Sequence, residues 1–182
     1  MADRTTYLLV DGENIDATLG VSVLGRRPQP EERPRWNKLL VHAEEAWRQP
    51  VKGLFFLAVS GDLPASFVQA LLAMGYRPVP VSGEGKVVDI AIQRTADALL
   101  ERDADVMLVS HDRDFVPQME ELAEDEGRRV GIVGFGEFMA TGLREIEGME
   151  FFDLEYDVRV FTSRLPRVRV IPIEQFDPLE FI

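Results

Sequence analysis

Short apolar runs alternate with segments of helical period along most of this chain, and no other feature constrains its fold as tightly. The runs fall at residues 5–10 (TTYLLV), 54–59 (LFFLAV), 76–81 (YRPVPV), 106–109 (VMLV) and 130–133 (VGIV). Each is strand-sized and bounded by turn residues, as buried strands are. Between them, Trp36, Leu39, Leu40, Ala43 and Trp47 mark an amphipathic helix that Pro50 closes. Phe67, Ala70, Leu71 and Met74 mark a second, with Asp62 as its candidate cap and Gly75 as its stop. Further helices are expected over residues 87–101, 114–126 and 138–146. Such alternation favours an α/β fold with a single doubly wound, mostly parallel sheet. Pro78 and Pro80 place the third strand at an edge, which fits the half-Rossmann order 3-2-1-4-5. The first and fourth strands are then neighbours at the topological switch point, where ligands bind.

Residues 12–34 read as a polar turn and a long irregular stretch, punctuated by Gly20, Gly25, Pro28, Pro30 and Pro34. Arg26, Arg27, Arg33, Arg35 and Lys38 are opposed in that region only by Glu31 and Glu32. The alternation ends after Phe152. Residues 1–153 are therefore assigned to the α/β domain and residues 154–182 to an extended C-terminal appendage. The appendage carries strand-like runs (VRVF, RVRVIPI) and Arg159, Arg164, Arg167 and Arg169. It is expected to pack on the domain or on a partner subunit, which makes a homodimer one expected assembly.

Composition removes several function classes. Twenty basic against thirty-two acidic residues give a net charge of −12, which opposes diffuse, charge-driven binding of nucleic acid. With no cysteine and two histidines the chain offers no disulfide, thiol nucleophile or ordinary zinc site. The apolar runs are too short to span a bilayer and the first residues lack a secretory pattern, so a cytoplasmic location is expected. No dinucleotide loop follows the first strand, Gly85-Lys86 is not part of a P-loop, and Ser60 and Ser110 have no evident base.

What remains is a set of acids. Asp112 and Asp114 follow the fourth strand where a helix starts, and each alone is accounted for as a cap. Asp11 ends an apolar strand, where no cap is called for. Asp89 falls among Val88, Ile92, Ala96 and Leu99, on the apolar stripe of its helix; a helix amino terminus and a bound cation both account for it. Four acids from three segments converging on one crevice repel one another, and hard oxygen ligands in that number suit Mg²⁺ or Mn²⁺. Such ions support phosphodiester cleavage.

Four motifs, VDGENI at residues 10–15, KVVDIAI at 86–92, VSHDRDFVP at 109–117 and VGIVGFG at 130–136, resemble the NYN domain family, LabA-like branch. The resemblance spans roughly residues 7–152 and implies a PIN-like nuclease fold with a metal-dependent ribonuclease site. It implies Asp11, Asp89 and Asp112 as catalytic residues, and the same three with Asp114 as holders of Mg²⁺ or Mn²⁺. It further implies Asn14, Lys86, Ser110 and Arg113 as substrate-binding residues, and single-stranded or structured RNA as the partner. Where the family has SGDSDF this chain has SHDRDF, so His111 stands in place of a glycine and Arg113 in place of a small residue. The alternative function is a non-catalytic regulatory or adaptor module, acting through protein or RNA binding.

Overall fold

A computed structural model describes residues 4–182. Its centre is a six-stranded sheet in the order β3-β2-β1-β4-β5-β6, with each adjacent pair parallel. The strands are β1 (Thr5–Asp11), β2 (Val51–Ala58), β3 (Arg77–Val81), β4 (Ala104–Val109), β5 (Val130–Gly134) and β6 (Met149–Asp153). The helices are α1 (Gly12–Ala17), α2 (Trp36–Trp47), α3 (Ala65–Met74), α4 (Val87–Leu99), α5 (Val116–Ala123) and α6 (Thr141–Arg144). The expected order 3-2-1-4-5 is present, and β6 extends it on the β5 side.

Alternate residues of the strands feed two cores, as the pleat requires. Leu8, Val10, Phe55, Met107 and Val109 face one side, where Ile15 of α1 and Leu39 and Ala43 of α2 cover them. Leu9, Phe56, Val106 and Leu108 face the other, under Val88, Ile92 and Ala96 of α4 and Met119 of α5. The central strands are buried on both faces, which is why they read as unbroken apolar runs. Pro78 and Pro80 lie opposite Phe55 and Leu57 on the edge strand β3, as their missing amide hydrogens demand.

Three expectations are corrected. Residues 12–34 are not largely irregular: α1 follows β1 directly and continues as a π-helix over Thr18–Leu24, with Ile15, Leu19 and Val23 buried at every fourth position. Asp62 does not cap α3, whose N-cap is Pro64, without a side-chain hydrogen bond. The runs VRVF and RVRVIPI form no strand. Leu154, Val158, Val160 and Leu165 instead sink into the core shared with β1 and β2. Beyond them Val168, Val170, Ile173 and Ile182 are largely exposed.

Candidate metal centre

The paired strands β1 and β4 deliver their last residues side by side, with Val10 in register with Val109. Asp11 is almost fully buried. Its carboxylate accepts the Ser110 hydroxyl at 3.0 Å and the Asn14 backbone N–H at 3.3 Å, so it caps α1. The expectation that Asp11 has no capping role is therefore corrected, and the reason is the helix that sequence reading missed. Ser110 Oγ in turn accepts the Asp112 N–H at 3.2 Å. Asp112 accepts the Asp114 N–H at 2.9 Å and caps the 3₁₀ turn Arg113–Phe115. Gln93 of α4 donates to the Asp114 carbonyl at 3.0 Å, tying that turn to the helix that carries Asp89.

The result is a group of three half-buried carboxylates, Asp89, Asp112 and Asp114, whose oxygens lie within 4.8 Å of one another. Lys86 reaches into this group: its Nζ stands 2.7 Å from Asp114, 3.5 Å from Asp89 and 3.9 Å from Asp112. A single ammonium offsets only one of three negative charges. Burial and the neighbouring Asp112 raise the Asp89 carboxyl above the usual range, whereas the hydrogen bond from Lys86 lowers that of Asp114. Asp11 is pushed up to about 6, chiefly by burial and despite its Ser110 and Asn14 hydrogen bonds. The cluster thus already holds a positive charge among hard oxygen donors, and in that sense it fits a divalent cation.

The departures from the family motif are resolved structurally. His111 is buried and does not crowd the carboxylates. Its Nε2 accepts the Phe135 N–H at 2.7 Å, which places the proton on Nδ1, and Nδ1 donates to Asn14 Oδ1 at 2.8 Å. Asn14 Oδ1 also accepts the His111 backbone N–H at 2.9 Å. The ring stacks on Phe135, with centroids 5.8 Å apart. It fits because residue 134 is glycine, where a Cβ would lie 2.7 Å from His111 Nε2. Burial depresses the imidazole to about 4, so it is neutral at physiological pH. Arg113 is exposed, and its charge helps to lower Asp114.

Of the expected site residues, Asp89, Asp112, Asp114 and Lys86 come together directly, and Asp11 and Ser110 stand immediately behind them. The Asn14 side chain does not orient Asp11; it is bound to His111. Glu13 was missed: its carboxylate accepts the Ala58 N–H at 3.1 Å and links α1 to the end of β2. Reading Asp11 as an N-cap three residues before Asn14, with Ile15 and Leu19 in phase, would have revealed the helix that places it.

A profile of the NYN domain matches residues 5–155 of this chain. Among curated proteins nothing matches. The chain is similar to a crystal structure of a protein of unknown function from Vibrio parahaemolyticus RIMD 2210633. That likeness has a TM-score of 0.69 at 19% identity, over 85% of this chain and 95% of the other. At that identity the likeness is one of fold alone.

Proposed function

Since the chain belongs to the NYN domain family, we propose that it is a divalent-metal-dependent ribonuclease of the LabA-like branch, cleaving RNA phosphodiesters at the ends of β1 and β4. The observation that carries this reading is the bridging of three carboxylates by one ammonium. Asp89, Asp112 and Asp114 would hold Mg²⁺ or Mn²⁺, with Asp11 behind them. When bound, such a cation supplies Lewis-acid polarisation of the phosphodiester and a water acidic enough to attack near neutral pH.

The chain's own residues have distinct tasks. Ser110 fixes the Asp11 carboxylate and the Asp112 backbone together, so the two strand ends keep one geometry. Lys86, mostly exposed and preceded by the positive-φ Gly83 and Gly85, is free to exchange its carboxylate partners for a phosphate oxygen. Arg113 projects from the same turn and adds a second cation for the backbone. His111 and Asn14 hold the β1 and β4 ends in register from beneath.

The reading is tested by Mn²⁺ titration and cleavage of single-stranded RNA, for the natural protein and Asp112→Asn. A cation at a hundred times its dissociation constant stabilises the fold by about 2.7 kcal/mol. Stabilisation and cleavage are expected in the natural protein and lost in the variant. Cleavage that survives both chelation and Asp112→Asn would overturn the assignment. A non-catalytic regulatory module is the second reading, favoured by the exposed apolar residues Val168, Val170 and Ile173. It gains ground if the natural protein neither cleaves nor binds metal.

A further inference from the structure

The turn that carries Asp11 has a second side. Gly12 and Glu13, the next residues, form one wall of a cleft of about 210 Å³ whose other walls are Trp36, Phe55, Leu57 and Phe67. Phe55 is the floor, with Trp36 edge-on at 5.1 Å and Phe67 edge-on at 5.5 Å between centroids. A Cβ on residue 12 would lie 2.5 Å from the Phe55 ring, so glycine there lets the ring reach under the turn. The rim is polar. Asp16 Oδ1 accepts Arg33 at 2.6 Å, and Glu13 Oε1 accepts the Ala58 N–H, so each of these bonds engages one oxygen of its carboxylate.

We propose that this cleft is a nucleobase subsite, taking an unpaired base of the RNA whose phosphodiester lies at the aspartate cluster. The proposal rests on the ribonuclease reading for its ligand and on the cleft for its chemistry. Unpaired bases are recognised by aromatic side chains and arginine planes together with hydrogen bonds to their edges. This cleft has all three: the exposed Phe67 ring over a largely buried floor of Phe55 and Trp36, the Arg33 guanidinium and two carboxylates. Carboxylates on the rim disfavour a phosphate there and select a base edge rich in N–H donors. Guanine presents an imino and an amino donor side by side, and uracil presents one imino donor, so guanine is the preferred occupant.

The surroundings support the path. Residues 63–76, which contain α3 and Phe67, hold no charged side chain in a chain whose net charge is −12. A polyanion leaving the cluster over the β1–α1 turn passes the Glu13 and Asp16 carboxylates, the second of them paired with Arg33, and then a neutral helix.

Trp36 makes the proposal directly measurable: it is largely buried, as Trp47 is, but it lines the cleft, whereas Trp47 packs beside Gly131 of β5. Guanosine monophosphate is titrated against intrinsic fluorescence in EDTA, so that no cation contributes. Saturable quenching is expected, weaker with uridine monophosphate and absent with ribose 5-phosphate. Phe67→Ala, on an exposed helix face, is expected to weaken the guanosine response roughly tenfold, within the range of one base–aromatic stack. Arg33→Ala gives a second variant should α3 be disturbed, as its thermal transition would reveal. No saturable quenching at millimolar nucleotide, or equal quenching by ribose 5-phosphate, overturns the subsite. Metal-dependent cleavage of RNA is scored separately. Cleavage without quenching removes the subsite and leaves the nuclease, and quenching without cleavage does the reverse.

Discussion

Lys86 and Asp114 form a 2.7 Å ion pair at the open side of the carboxylate group, so this lysine and an incoming cation compete for the same oxygens. Lys86→Met is expected to tighten Mn²⁺ binding, by up to about fivefold given how little an exposed pair contributes. The same change slows RNA cleavage, because the phosphate loses a contact. Calorimetric titration with Mn²⁺ checks the first effect; weaker binding in the variant would show that Lys86 supports the cation instead of opposing it.

Asp11 carries a destabilising charge. Its carboxyl titrates near 6 in the fold against 3.8 for the ordinary group. The raised value favours the folded state below 3.8, and that benefit is lost as pH rises through about 6. Asn in this position mimics the neutral form and still caps a helix. Asp11→Asn in EDTA is therefore expected to be more stable than the natural protein at pH 8, by on the order of 1–3 kcal/mol, and nearly equal to it at pH 4. Urea denaturation at the two pH values measures the difference, and cleavage falls in the same variant.

His111 has the opposite dependence. Burial lowers it from 6.5 to about 4, so the unfolded chain takes up the proton first. Its contribution is complete above about 6.5 and is lost as pH falls towards 4. Because Asp11 works against it over much of that window, the two are separated by comparison with His111→Gln. The variant is expected to lose about 1–3 kcal/mol at pH 7, from the orphaned Phe135 N–H. Its stability deficit shrinks on acidification, as denaturation curves from pH 7 to pH 4 will show.

Arg167 is nearly buried between Glu137 and Glu155, both of which pair with it, and its guanidinium lies 5.8 Å from the Phe135 ring centre. Arg167→Met strands Glu155, whose carboxyl burial already raises. The expected loss is about 3–5 kcal/mol. Glu155→Gln added to Arg167→Met is expected to recover much of it, and thermal unfolding of the two variants compares them.

How far the sequence led depended on whether a residue's role was local. Val106–Val109 and the two prolines of β3 announce a buried strand and an edge strand without any partner being known. β6 does not, because MEFFD is half-exposed at the other edge and shows neither an unbroken apolar run nor strict alternation. RVRVIPI does alternate, yet no sheet edge receives it. Asp89, Asp112 and Asp114 are legible because strand ends and the first turn of a helix fix their positions. The bond from the His111 N–H to Asn14 Oδ1 joins residues far apart in the chain, and only the completed fold brings them together.

Val158, Val160 and Leu165 share a core with Leu8 and Val10. Translation proceeds at about 5–20 residues per second, so this face of the sheet waits on the order of ten seconds between the appearance of its first strand and of its last apolar plug. During that interval Phe135, on which Phe161 stacks in the finished fold, lacks part of its cover. The domain closes late in its own synthesis, and a ribosome that stalls shortly before residue 165 holds a nascent chain with an exposed, adhesive seam.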